Sequence, residues 1–141
     1  MDTDEAWGRV RTARVGRMAT VTQSNQPHVV PFVFAVVEHA GTQVVYWAVD
    51  HKPKRSVDLK RIRNLEANPA VEFVVDGYEE DWERLWWVRC SGTARVVDDH
   101  DERDDALRAL EDRYPQYRND PPAGRVIAID IGTIRGWHAA D

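Results

Sequence analysis

The chain opens with apolar positions every three to four residues. Trp7, Val10 and Ala13 follow a capping Thr3, which predicts a short helix that ends near Gly16 and lies across one end of the fold. From Arg17 the period falls to two. Arg17 to Thr22 reads as a strand, Ser24-Asn25-Gln26-Pro27 as a turn, and His28 to Val37 as a second strand. A turn at Glu38-His39-Ala40-Gly41 leads into a third strand, Gln43 to Val49, rich in β-branched and aromatic residues, so three strands in meander order are expected.

The next segment changes period again. Ser56 is a candidate N-cap, and Leu59, Ile62 and Leu65 form one apolar stripe before Asn68-Pro69 stops the helix. Lys60, Arg61 and Arg63 fall off that stripe. Alternation resumes at Val71, Phe73 and Val75, and a long strand from Arg84 to Val97 follows an acidic loop, Asp76 to Glu83. Gly92 inside it predicts a bulge or a close backbone approach. A helix from about Asp101 to Arg113 turns Ala106, Leu107 and Leu110 inward, and a last strand covers Arg125 to Ile131. Six strands with helices at the crossovers predict a mainly β fold, a closed six-stranded antiparallel barrel in a single domain, 1–141.

Composition narrows the function more than the fold. Hydrophobic residues at 43% and charged residues at 30% exclude a disordered or fibrous chain, and 141 residues suit one core. The net charge of −5 excludes a surface built throughout for nucleic acid or an anionic membrane. No apolar run approaches the ~18 residues of a membrane span, and the first residues lack the apolar middle of a signal peptide, so a cytoplasmic protein is expected. Cys90 is the single cysteine and falls in a strand pattern, as a buried bystander would. The charge is unevenly spread: His51 to Arg63 carries +5 and the rest of the chain −10.

The familiar nucleotide, zinc-protease and serine-hydrolase motifs are absent, and the five histidines are scattered without helical pairing, so no metal site and no catalytic side chain are assigned. The basic block is the remaining candidate. It lies where a strand gives way to a helix, in YWAVDHKPKRSVDLKRIRNL, and such a junction can offer backbone N–H groups and cations to a phosphate. Cations at a helix start are unfavourable by about 0.3 to 1 kcal/mol each, and an anionic ligand reverses that sign. Trp86 and Trp87 alternate across a strand, so one enters the core while the other meets a ring or a partner surface.

Four segments together carry a resemblance: Arg17-Met18-Ala19-Thr20-Val21, PHVVPFVF, YWAVDHKPKR followed by LKRIRNLEANP, and WWVRCSGTARVV. In this order, from about Arg9 to Trp137, the chain resembles the pyridoxamine 5'-phosphate oxidase-like split β-barrel superfamily, and within it the actinobacterial flavin/deazaflavin oxidoreductases. The resemblance implies a six-stranded split β-barrel homodimer with two cofactor sites at the subunit interface. It implies flavin contacts from Arg17, Met18, Ala19 and Thr20, further contacts from Trp47 and Ala48, a phosphate grip by Lys54 with Lys52 and Arg55 beside it, and Trp87 and Arg89 reaching the cofactor from the long strand. The Tyr-Thr pair of the oxidase itself is Trp47-Ala48 here, and its C-terminal substrate arm has no counterpart after Trp137, which argues against pyridoxamine-phosphate oxidation. The resemblance thus implies hydride transfer between coenzyme F420 and an unsaturated small molecule. FMN is the competing cofactor and a non-catalytic F420 or flavin carrier the competing role. A nucleic-acid-binding barrel is disfavoured by the net charge and the acidic loops.

Overall fold

Asp2 caps the first helix in place of Thr3: its carboxylate accepts from Glu5 N at 2.8 Å, and α1 (Thr3–Thr12) buries Ala6, Trp7 and Val10. The computed structural model describes residues 1–49 and 56–140, with side chains in the second stretch from residue 60 onward. Strands β1 (Gly16–Val21) and β2 (Pro27–Phe32) form a hairpin whose turn places Asn25 at a φ of 63°. Strands β3 (Ala35–His39) and β4 (Thr42–Ala48) form a second hairpin, and α2 (Ser56–Ala67) follows. Then come β5 (Ala70–Gly77), a 3₁₀ turn at Trp82–Arg84, β6 (Trp86–Val96), α3 (His100–Arg113), α4 (Pro115–Asn119) and β7 (Val126–His138).

The expected six-stranded closed barrel is not what forms. Seven strands make one antiparallel sheet in the order β2-β1-β5-β6-β7-β4-β3, and its two edges, β2 and β3, share no ladder. The reason lies at Val33-Phe34. The stretch from His28 to Val37 is one apolar run in sequence, but the Tyr114 hydroxyl accepts from Phe34 N at 3.1 Å and lies 3.0 Å from Phe34 O. A side chain thereby takes both backbone groups that a continuous strand would have paired with a neighbour. The run splits into β2 and β3, and the meander with it. A single copy of the chain is described, so the dimer has no counterpart in the structure.

The sheet still wraps one core. Met18, Phe32, Phe73, Val88, Ile127, Ile129, Val45 and Trp47 converge from all strands but β3, with Phe34 stacked on Phe32 at 4.9 Å. Ala6, Trp7 and Val10 of α1 and Ile62 and Leu65 of α2 join the same core. The outer face is covered over half its width. Ala106 packs on Val44, Tyr46, Val126 and Ala128, and Leu110 and Tyr114 pack on Ala35.

Ion pairs fasten that cover. Arg95 of β6 donates to both Glu102 oxygens, at 2.8 and 2.7 Å, and to Asp130 at 2.8 Å, while the Tyr46 hydroxyl donates to Glu102 at 2.6 Å. The Arg95 hydrogen bonds hold the Glu102 carboxyl down to about 2, and burial raises the Tyr46 phenol well above its ordinary value. Gly92 sits at the expected bulge, where the register shifts between Ser91 and Gly92, and a Cβ there would strike the Asp130 carbonyl oxygen. Burial pushes the Cys90 thiol up to about 12. Among the described residues no helix is long and apolar enough to cross a membrane.

Candidate functional site

The half of the outer face that α3 leaves uncovered spans β2, β1, β5, β6 and the end of β7. Register fixes which side chains share it. Pro31 lies opposite Arg17, Arg17 opposite Val74, Val74 opposite Arg89 and Arg89 opposite Arg135, so one row crosses five strands. At about 4.8 Å per strand, Arg17 and Arg89 stand roughly 10 Å apart, with Arg135 about 5 Å beyond. The adjoining row runs Val29, Ala19, Glu72, Ser91 and Thr133, and on the other side Asp76, Trp87 and Trp137 face one another.

Charge along these rows is only partly matched. Arg89 Nε lies 3.7 Å from Glu72, which also accepts from Ser91 Oγ at 2.5 Å. The Arg89 guanidinium stands 5.5 Å over the Trp87 ring, and Trp87 stacks on Trp137 at 6.5 Å and 24°. Arg17 and Arg135 are exposed and have no ion-pair partner among the described residues. Val29 is 62% exposed and Trp137 40%, so large apolar surface lies beside these cations. A hollow of about 410 Å³ between the start of α1 and the end of β7 has Trp87, Arg135 and Trp137 on its wall. Among the described residues no cluster of His, Cys, Asp and Glu is arranged to hold a metal.

The structure brings together Arg17, Ala19, Trp87 and Arg89 on this open face. It separates the other expected contacts from them. Met18, Thr20 and Trp47 point into the core, and Ala48 lies against the α3 side of β4. Lys52, Lys54 and Arg55 lie outside the described residues. Trp47 is more than a filler of the core: its Nε1 is buried with no hydrogen-bond partner among the described residues, and the Arg61 guanidinium stands 5.6 Å over its ring while donating to Pro31 O at 3.3 Å.

Trp137, Arg135 and Val29 were missed by sequence reasoning. Ending the last strand at Ile131 hid the first two, since β7 runs on to His138. Gly136 makes room for Met1 and Ala6 of the N-terminal segment, and the alternation Thr133, Arg135, Trp137 was the available signal.

Comparison with known proteins decides the family. Residues 3–138 match the family described as pyridoxamine 5'-phosphate oxidase. The chain belongs to this family. A search of curated proteins matched none. Three solved structures illustrate how far the oxidase-family fold is shared. A conserved hypothetical protein, Rv2991, from Mycobacterium tuberculosis is 20% identical, with 99% of this chain and 86% of that one covered at a TM-score of 0.78. An FAD-binding protein from Mesorhizobium loti is 23% identical, with 96% and 94% covered at 0.69. The haem storage protein HutZ from Vibrio cholerae is 15% identical, with 96% and 93% covered at 0.66. These likenesses show the fold, and the family's description is that of an oxidoreductase.

The residues present fit a phosphorylated flavin. Arg17 and Arg135 supply positive charge without an ion-pair partner among the described residues, and Ala19, Val29 and Trp87 supply apolar wall.

Proposed function

We propose that the open face binds a phosphorylated flavin and that the protein is an oxidoreductase, moving a hydride between that cofactor and a small unsaturated molecule. One observation carries the reading: three arginines in a single row, two of them without ion-pair partners among the described residues, flank apolar and aromatic side chains on the sheet face that α3 leaves uncovered. When bound, the flavin supplies the hydride chemistry. The chain supplies position and charge. Arg17 and Arg89 offset negative charge, Ala19 admits a flat ring close to the β1 backbone, and Trp87, braced by Trp137, walls it. Lys54, with Lys52 and Arg55, grips the phosphate in the segment that joins β4 to α2. No side chain is assigned an acid or base role. A second copy of the chain covers the exposed Val29 and Trp137 and completes the site, and the protein works in the cytoplasm.

Coenzyme F420 is the second reading. It is favoured by the surplus of cations, since a deazaflavin with an oligoglutamate tail brings more negative charge than FMN. Titration of the purified protein with FMN, FAD and F420, followed by absorbance, separates them. Tight binding of one, with reduction or reoxidation of its ring in a substrate screen, supports the enzyme. Tight binding without turnover assigns a carrier, and no binding of any removes the reading. Lys54→Ala weakens the bound cofactor by about 10- to 100-fold if the lysine makes a charge-assisted phosphate contact, with the fold retained.

A further inference from the structure

Val74, on the central strand of the open face, has charge arranged around it as a cross. Arg17 and Arg89 lie opposite it on the neighbouring strands, about 4.8 Å to either side. Glu72 and Asp76 lie two residues before and after it on β5, on the same face and about 7 Å away. Two cations flank the centre across the strands, and two carboxylates flank it along β5.

The two acids are not equivalent. Glu72 is held: it accepts from Ser91 Oγ at 2.5 Å, lies 3.7 Å from Arg89 Nε and has Ala19 as its neighbour on β1. Asp76 faces Trp87 and has no ion-pair partner among the described residues. An acid on this face weakens the binding of any anion there, and stability does not account for it. The Glu72 side chain is 54% exposed, and an exposed ion pair contributes little.

A fixed carboxylate beside a flat ring has a further effect. A ring that takes up a hydride gains two electrons and one proton, and so one unit of negative charge. Repulsion from Glu72 therefore acts on the reduced ring and hardly on the neutral oxidised one. We propose that Glu72 tunes the hydride-donating power of the bound cofactor: its carboxylate, clamped by Ser91 and Arg89 beside Ala19, lowers the reduction potential of a flavin ring lying over Val74. Arg17 and Arg89 act in the opposite sense, and Glu72 offsets part of their pull. The balance moves toward giving the hydride up. It then bonds to one unsaturated carbon of the acceptor, whose π bond breaks, and a proton from water completes the reduction while the ring is reoxidised. The inference rests on the flavin reading of the open face.

At about 7 Å, one charge changes the preference for the reduced over the oxidised ring by about 3-fold in a water-like medium and about 50-fold at the effective dielectric of a protein surface. The test measures, anaerobically and by fluorescence titration, the affinities of the oxidised and the chemically reduced cofactor in the parent, Glu72→Gln and Glu72→Asp. FMN, FAD and F420 are the probes. In Glu72→Gln, which keeps an acceptor for Ser91, the ratio of affinities should shift toward the reduced form by about tenfold. That equals a rise of about 30 mV in the two-electron potential of the bound ring, with the melting temperature close to the parent's. Glu72→Asp keeps the charge and should stay within about threefold of the parent. An unchanged ratio in folded, cofactor-bound Glu72→Gln overturns the inference and leaves the flavin reading in place. So does an equal shift in both variants, because the charge is then not the cause. A parent protein that binds none of the three probes overturns both.

Discussion

Removing one oxygen atom, in Tyr114→Phe, tests why the sheet stays open. The hydroxyl accepts from Phe34 N at 3.1 Å and has the carbonyls of Phe34 and Arg14 each at 3.0 Å. It owns one proton, so at any instant it accepts one bond and donates one. Two ordinary hydrogen bonds contribute about 1 kcal/mol each, and the Phe34 N–H, on a residue with no exposed surface, is left without a partner. The expected loss is about 2 to 3 kcal/mol. The ring itself stays, keeping its edge contact with Tyr117 at 5.9 Å and the Arg113 guanidinium at 5.6 Å, so lost packing contributes little. In urea, at a slope of about 2 kcal/mol/M, the midpoint should fall by about 1 to 1.5 M with the slope unchanged. A loss below about 0.5 kcal/mol would refute the claim that this hydroxyl terminates β2 and starts β3.

Other consequences follow from particular contacts. Gly92→Ala drives a methyl group into the backbone carbonyl of Asp130, where no flexible side chain can yield, and should cost about 1 to 3 kcal/mol in a thermal or urea melt. Glu102, whose folded carboxyl is held down to about 2, contributes stability that is complete above its unfolded value near 4.3 and lost as pH falls toward 2. Urea midpoints measured from pH 6 to pH 2 should therefore drop less steeply across that window in Glu102→Gln than in the parent. Cys90, buried and with its thiol raised to about 12, should resist iodoacetamide at pH 8 in the native protein and react once unfolded.

Much of the fold was legible in the sequence. The helix stripes mark α1, α2 and α3, the alternating runs mark strands except that His28 to Val37 holds two, and Gly92 announced its bulge. The closure of the sheet was not legible. Nothing local in PHVVPFVF says that a tyrosine 80 residues away takes the backbone groups of Phe34. The candidate site was half legible for a related reason. Period-two alternation puts Arg17 and Ala19 on one face and Met18 and Thr20 on the other, so a motif of consecutive residues cannot all point at one ligand. The arginine row was hidden because its members come from three strands distant in sequence, and only register aligns them.

The central claim is that a flavin cofactor lies on the uncovered face of β1, β5 and β6. Ala19→Glu tests it most directly, because the new carboxylate projects from that face beside Arg17, away from the core. Cofactor titration monitored by tryptophan fluorescence should show affinity weakened at least about tenfold, with the melting temperature close to the parent's. An unchanged affinity in the folded variant would contradict the account.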